Sequence, residues 1–187
     1  MLSDNGILAE IKTGTLKIKP FDKEALRPSG YTFHLGPHFL VPKTGFKINP
    51  LKDDPSKFYS PLTASEKRPL VLEPGDFVLG ETLEEIALSP KIGCFVDGAS
   101  TIARLGISIH QAAMMLDPGH GWPNFRRVTL EIKNDGTNSI VLTPGMKFCK
   151  AAFFKLEPPA SFSADARSKY NKQKNVGAPL RIKEKGV

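Results

Sequence analysis

The chain has 187 residues, of which 40% are hydrophobic and 24% charged. This length supports one domain with a substantial core, and the composition is that of a globular protein and excludes a disordered chain. No apolar run approaches the ~20 residues that a membrane-spanning helix requires, and residues 1–14 are polar where a signal peptide would be apolar. We therefore expect a cytoplasmic protein without a membrane partner.

Cysteine and histidine usage argues against a disulfide scaffold and against a protein-bound metal. Cys94 and Cys149 lie in apolar strand-like runs, which is typical of buried thiols in a reducing compartment. The sequence contains no CxxC pair, and the spacing HxxxH occurs once, at His34 and His38, without a third cysteine or histidine nearby. Its four histidines are scattered along the chain at His34, His38, His110 and His120. No zinc site is therefore predicted.

The charge balance indicates an anionic partner. The net charge is +7, and the isoelectric point is near 9.4. Basic residues gather near the C-terminus, at Arg167, Lys169, Lys172, Lys174, Arg181, Lys183 and Lys185. Such a segment suits partners that range from a nucleoside triphosphate to nucleic acid, although a solvated tail has the same composition.

The first predicted element is a short N-terminal helix. Ser3 and Asp4 are residue types that cap helix N-termini, and Ile7, Leu8 and Ile11 follow at helical spacing. These positions predict a helix that begins next to Ser3 and has one apolar face.

Most of the remaining chain is predicted to be all β. Sixteen Gly and sixteen Pro residues divide it into short β-favouring runs, for example 70–72, 77–79, 140–142 and 151–154. Such runs are typical of a sandwich or a barrel. One further short helical piece is predicted over 100–105.

Two Pro-Gly steps, Pro74-Gly75 and Pro144-Gly145, predict tight turns. Proline fixes φ at the first central position of a turn, and glycine accepts a positive φ at the second. Since each step lies between apolar runs, we expect each turn to close a hairpin.

Residues 128–134 show a strict strand-like alternation. Apolar residues occupy the even positions from Val128 to Ile132, and polar residues occupy the odd positions. The pattern places Glu131 on the polar face of a strand. By itself it indicates a solvated surface glutamate.

Motifs that follow one another over almost the whole chain resemble those of the dCTP deaminase family. The central motifs are GASTIARLG at 98–106, IH at 109–110, LDPG at 116–119 and VTLE at 128–131. They are similar to the family pattern GRSSxxRLG…H…A…IDPG…ITLE. The flanking motifs with family counterparts are LRPSGY at 26–31, HLG at 34–36, LEPGDFVL at 72–79, LTPGMK at 142–147 and SKY at 168–170 with Gln173.

The resemblance implies a fold and an assembly. The family fold is a distorted jelly-roll barrel of the dUTPase-like, β-clip type, which agrees with the all-β prediction. It implies a barrel over 1–157 and a basic tail over 158–187 that closes over the nucleotide. Family members are homotrimers with active sites between subunits, so Glu131 can face away from its own core and still lie in a site. No nucleic-acid partner is implied.

The resemblance also implies a reaction, the zinc-independent hydrolytic deamination of dCTP to dUTP and ammonia. The HxE…PCxxC zinc signature of other nucleobase deaminases is absent from this sequence. Mg²⁺ would arrive on the triphosphate oxygens and would need no dedicated protein cage. The ligands that the resemblance implies are dCTP and dUTP, with dTTP as a candidate inhibitor.

Three catalytic roles follow from the resemblance. Glu131 would be the general acid and base, while Ser100 and Arg104 of the adjacent subunit would hold the water and stabilise developing charge. The alternatives are a solvated strand glutamate, a helix N-cap at Ser100 and a structural salt bridge at Arg104.

Substrate contacts are implied at several further positions. Asp117 corresponds to a deoxyribose contact that activates the hydrolytic water in dUTPases, although Asp-Pro-Gly is also a turn signal. Thr129 and Leu130 correspond to positions that meet the base. The remaining implied contacts are Thr101, Lys169, Tyr170 and Gln173. His110 lies in an apolar stretch and is predicted to be a hydrogen-bonded core residue.

Several positions depart from the family pattern. Ala99 stands where the family usually has Arg, which removes a possible bidentate phosphate contact. The segment 120–127 is longer than usual, and we hypothesise that its Arg126 or Arg127 replaces the missing charge. Two other departures are Phe162 in place of Tyr and Thr32 in place of Asp.

Three functions remain open from the sequence. The first is dCTP deaminase. The second is dUTP diphosphatase or a bifunctional enzyme that forms dUMP, in which Asp117 activates water. The third is a non-catalytic nucleotide-binding trimer on the same barrel. The changes at Ala99 and Phe162 favour it slightly, whereas the retained catalytic set of Glu131, Ser100 and Arg104 disfavours it. Product analysis separates the first two, since one releases ammonia and dUTP and the other pyrophosphate and dUMP.

Overall fold

The structure is a computed structural model that describes residues 1–111, 113–171, 173 and 175–182. Within this part, no helix is long and apolar enough to cross a membrane. The helices are α1 Asp4–Lys12, α2 Ser100–Arg104 and α3 Ala164–Arg167, with 3-10 turns at Lys23–Ala25 and Pro55–Phe58. The strands are β1 Leu16–Lys19, β2 Leu26–Arg27, β3 Gly30–His34, β4 His38–Pro42, β5 Tyr59–Thr63, β6 Leu70–Leu72, β7 Phe77–Leu88, β8 Ile92–Gly98, β9 Ile107–Ser108, β10 Met115–Leu116, β11 Arg126–Asn134, β12 Ile140–Leu142 and β13 Lys147–Lys155.

Helix α1 begins where the sequence predicts. Ser3 has extended backbone, and its Oγ accepts the Gly6 N–H at 3.2 Å, which satisfies one of the free amides at the helix N-terminus. Ile7 is fully buried in the core. The Leu2 N–H donates to the Phe153 carbonyl at 2.7 Å, so the helix docks on β13.

Antiparallel sheets form the body of the protein, which confirms the all-β prediction. The first sheet has the order β5-β4-β7-β11-β9, with β1 also paired to β7, and the second has the order β10-β8-β13-β3-β2. Strands β12 and β6 form a third sheet of two strands. Buried side chains of the first two sheets belong to one hydrophobic cluster, which includes Leu88 and Leu130 from the first and Phe33 and Phe153 from the second. Strand β11, in the first sheet, carries the alternating segment.

The Pro-Gly turns are confirmed, but the hairpins expected around them are wrong. Gly75 and Gly145 have φ near +85° and +87°, as turns of this kind require. Strand β6 nevertheless pairs with β12, while β7 pairs with β1, β4 and β11. A Pro-Gly turn with positive φ at the second position splays its flanking strands, which explains why they join different sheets.

The two cysteines are buried free thiols, as predicted. Burial raises the pKa of both Cys94 and Cys149 above the usual value for a thiol. Since the thiolate is the reactive species, both side chains behave as inert core residues.

Beyond β13 the chain returns across the first sheet. The Ala164 N–H donates to the Pro118 carbonyl at 2.8 Å, and the Ile182 N–H donates to the Pro50 carbonyl at 2.8 Å. Between these points the Val176 N–H donates to Glu81 Oε2 at 2.5 Å. The C-terminal segment, which is the chain from residue 158 onward, thereby covers one face of the sheet that contains β11.

Candidate functional site

Strand β11 positions Glu131. Burial alternates strictly along Arg126–Asn134, as predicted, and Glu131 is half-buried opposite Leu79 of β7. Its backbone N–H donates to the Ile109 carbonyl at 2.9 Å, and its Oε2 accepts the Gln111 N–H at 2.8 Å. The loop after β9 therefore fixes this carboxylate, which is not a freely solvated surface group.

A cavity of about 630 Å³ lies against the polar face of β11. This volume is within the range of small-molecule sites. Apolar walls come from Leu79, Ile109, Met115 and Leu116. The C-terminal segment closes another side with Phe162, Ala164, Ser168, Tyr170, Gln173, Gly177 and Pro179.

The structure gathers seven of the predicted site residues around this cavity: Asp117, Arg126, Arg127, Thr129, Glu131, Tyr170 and Gln173. Leu130 is only 1% exposed and packs in the core, so only its backbone is available to a ligand. Lys169 lines a neighbouring cavity of about 290 Å³, which shares Tyr170 and Gln173 with the first.

The predicted residues on α2 do not line either cavity. Ser100, Thr101 and Arg104 are exposed on the helix that follows β8. The N-cap alternative for Ser100 is wrong, because Ala99 is the N-cap and Ser100 is the first helical residue. The placement of Ser100 and Arg104 in a neighbouring subunit's site stays a prediction.

Arg126 is held by the protein. It begins β11, with its Nη2 2.8 Å from Asp165 Oδ1 and 2.8 Å from His120 Nδ1. Its Nη1 donates to the Tyr170 carbonyl at 2.9 Å. Burial lowers the pKa of Arg126, and the charge of Asp165 opposes that shift. These contacts occupy the guanidinium and argue against the hypothesis that Arg126 supplies a free phosphate-binding charge.

Arg127 is similarly engaged. Its Nη1 donates to the carbonyls of Thr82 and Leu83 at 3.0 and 2.9 Å and lies 3.5 Å from Glu81 Oε1. Glu81 is fully buried, so the ion pair neutralises a carboxylate that would otherwise be costly to bury. Both arginines therefore serve the architecture of the cavity wall.

Two histidines line the cavity. The prediction for His110 is only partly right: its Nε2 lies 3.2 Å from Asp97 Oδ1, but the side chain is 29% exposed and is not in the core. His120 was not predicted as a site residue. Burial, followed by the charge of Arg126, lowers the pKa of His120 to about 3, so this ring is neutral near pH 7. The sequence feature that could have identified His120 as a site residue is its position inside the long segment 120–127.

Thr129 and Gln173 contact each other, since Gln173 Nε2 donates to Thr129 Oγ1 at 2.9 Å. Asp117 is exposed at the cavity, and the His120 N–H donates to its carbonyl at 3.2 Å, which confirms the Asp-Pro-Gly turn. Among the described residues, no group of three or more His, Cys, Asp or Glu side chains is placed to hold a metal ion.

The chain is similar to known proteins along nearly its whole length. A "dCTP deaminase, dUMP-forming" from Dictyoglomus thermophilum is 36% identical over 184 residues, which cover 95% of this chain and 93% of the relative. A protein of the same name from Rhodococcus erythropolis is 38% identical over 180 residues (93% and 92%). The dCTP deaminase of Halorubrum lacusprofundi is 34% identical over 180 residues (92% and 87%).

A solved structure shares the fold. The 2'-deoxycytidine 5'-triphosphate deaminase from Agrobacterium tumefaciens superposes with a TM-score of 0.60 at 20% identity. The match covers 81% of this chain and 46% of that one, so this chain spans about half the length of that protein. The model of the dCTP deaminase-like family matches residues 1–156. Together with the identity to curated relatives along nearly the whole chain, this match establishes that the protein belongs to the dCTP deaminase-like family.

Proposed function

We propose that this protein catalyses the zinc-independent hydrolytic deamination of dCTP to dUTP and ammonia, with Glu131 as the general acid and base. The observation that carries the proposal is the Glu131 carboxylate in the wall of a small-molecule cavity, with Oε2 held by the Gln111 N–H. That bond fixes the carboxylate and leaves Oε1 for the reacting water.

One carboxylate can carry out both proton transfers of the reaction. Glu131 accepts a proton from the water whose oxygen attacks C4 of the cytosine ring and passes it to N3, so that C4 becomes tetrahedral. It then moves the remaining hydroxyl proton to the amino nitrogen, the C4 carbonyl forms, and ammonia leaves. The apolar side chains of Leu79 and Ile109 keep other water away from the carboxylate, which strengthens electrostatic interactions inside the cavity.

We assign further residues to the base and the sugar of the nucleotide. Thr129 lies two residues before Glu131 on the same strand face, about 7 Å away, where its hydroxyl meets the base. Asp117 contacts the deoxyribose. In a homotrimer, Ser100 and Arg104 of the adjacent subunit complete the site, and Mg²⁺ enters on the triphosphate oxygens. We place the reaction in the cytoplasm.

A second candidate is a bifunctional enzyme that forms dUMP. Two observations favour it: Asp117 lines the same cavity as Glu131, and the relatives from Dictyoglomus and Rhodococcus are named dUMP-forming. In this case Asp117 activates a second water for attack on the α-phosphorus, and pyrophosphate leaves. The products are then dUMP, pyrophosphate and ammonia.

The test is product analysis by chromatography after incubation with Mg-dCTP or Mg-dUTP. We expect Glu131→Gln to bind nucleotide but to lose ammonia release by about 10²–10⁴-fold. Glu73→Gln, at an exposed turn position, is the matched control and should keep the wild-type rate. A Glu131→Gln variant with the wild-type rate refutes the proposal. Conversion of Mg-dUTP to dUMP selects the bifunctional enzyme.

A further inference from the structure

A largely buried ion pair fastens the C-terminal segment to the cavity wall. Asp165 Oδ1 lies 2.8 Å from Arg126 Nη2, and the two side chains are 16% and 10% exposed. The other oxygen, Oδ2, accepts the Gly121 N–H at 3.1 Å. Removal of one partner would leave the other charge largely shielded from solvent without its counter-ion, which costs more than the loss of an exposed surface pair.

The same guanidinium reaches a second point of the segment. Arg126 Nη1 donates to the Tyr170 carbonyl at 2.9 Å, and Nη2 also contacts His120 Nδ1 at 2.8 Å. The planar, multi-donor fork of arginine allows this, whereas a single ammonium group does not reproduce it. Arg126 therefore links the start of β11 to both Asp165 and Tyr170.

Backbone contacts beside the ion pair fix the register of the segment. The Ala164 N–H donates to the Pro118 carbonyl at 2.8 Å, and Ser163 Oγ donates to the Gly119 carbonyl at 3.1 Å. With these anchors in place, Tyr170 lines the cavity, and Gln173 reaches Thr129. These contacts hold the segment against the cavity.

We propose that Arg126 and Asp165 form a positioning pair that closes the C-terminal segment before nucleotide binds, and that nucleotide affinity depends on this closure. Arg126 acts through Tyr170 and Gln173 and does not contact phosphate. When closure precedes binding, the ligand does not have to order the segment, and less binding free energy is lost. The proposal rests on the proposed function in taking the ligand to be a pyrimidine deoxynucleotide.

The test combines amide hydrogen exchange of the ligand-free protein with steady-state kinetics on Mg-dCTP. In Asp165→Asn we expect the amides of Ala164, Ala166 and Ser168 to exchange at least about fivefold faster. We expect KM to rise about tenfold while kcat changes less than about threefold, because the change removes binding of the segment and leaves the Glu131 chemistry intact.

Three further variants make the result specific. Asp165→Glu keeps the charge and should recover most of the affinity, whereas Arg126→Lys should resemble Asp165→Asn. Asp135→Asn removes the partner of Lys133 in an exposed ion pair at the end of β11 and is the matched control, with no expected change. Slow exchange of the β13 amides in each variant shows that the core is folded.

Two results overturn the proposal. One is unchanged exchange of Ala164, Ala166 and Ser168 in Asp165→Asn; the other is faster exchange with an unchanged KM. If the wild-type protein releases no ammonia, the proposed function fails. In that case exchange and the affinity for added dUTP, measured by calorimetry, decide the role of the pair.

Discussion

The neutral state of His120 makes the stability of the fold depend on pH. In the folded protein, burial and the charge of Arg126 lower the pKa of His120 to about 3 from an ordinary value of 6.5. The unfolded chain therefore binds a proton below pH 6.5 that the folded protein does not bind. Stability from this group is fully present above that pH and falls as the pH is lowered toward 3.

The size of the effect follows from the two pKa values. Between pH 7.5 and pH 5.5 the folded ring stays neutral, while the unfolded ring changes from about one-tenth to about nine-tenths protonated. The free energy of unfolding then falls by RT ln(11/1.1), which is about 1.4 kcal/mol. This loss is a sizeable part of the roughly 5–15 kcal/mol that stabilises a typical domain.

Urea denaturation of the wild-type protein and of His120→Phe at both pH values measures this contribution. The variant keeps a ring of similar size but has no titrating nitrogen. We expect the wild-type protein to lose about 1.4 kcal/mol more than the variant between the two pH values. Equal losses in both proteins would refute the burial argument, since they would mean that His120 takes up a proton in the folded state.

Two substitutions test the core and the docking of the C-terminal segment. Leu130→Ala should lower the free energy of unfolding by about 2–5 kcal/mol in urea denaturation, whereas Val141→Ala, at an exposed strand position, should change it by less than about 0.5 kcal/mol. Gly119→Ala should raise KM for dCTP severalfold with little change in kcat, because glycine there has φ +95° and an added Cβ would lie 2.6 Å from Ala164 N. An unchanged KM in Gly119→Ala would contradict the docking of the C-terminal segment against Gly119.

Local patterns explain why much of the fold was predictable. The cap at Ser3 and the alternation around Glu131 depend on neighbouring residues only, and both are confirmed. The positive φ values at Gly75 and Gly145 follow from the Pro-Gly steps in the same way. The order of the motifs along the chain then indicated the family, and five of the positions that the family implies line one cavity: Asp117, Thr129, Glu131, Tyr170 and Gln173.

The contacts that local patterns missed join distant parts of the chain. Nothing near Leu70–Leu72 in the sequence identifies β12 as its partner, because the pairing depends on how the two Pro-Gly turns splay their strands. The pairing of Arg126 with Asp165 and the burial of His120 depend on where the C-terminal segment docks. A surplus of positive charge indicated an anionic partner, but it did not show that Arg126 is already neutralised by the protein.

The exposure of Ser100 and Arg104 leads to a test of the proposed trimer. If each site takes Glu131 from one subunit and Arg104 from the next, Glu131→Gln and Arg104→Met are each inactive but complement each other in mixed trimers. With random assembly of equal amounts, about one quarter of the sites combine both native residues, so co-refolded protein should regain about one quarter of the wild-type activity. The same variants mixed without refolding are the control. Mixed trimers as inactive as their parents would mean that no site combines residues of two subunits, and a fully active Arg104→Met parent would remove Arg104 from the catalytic machinery.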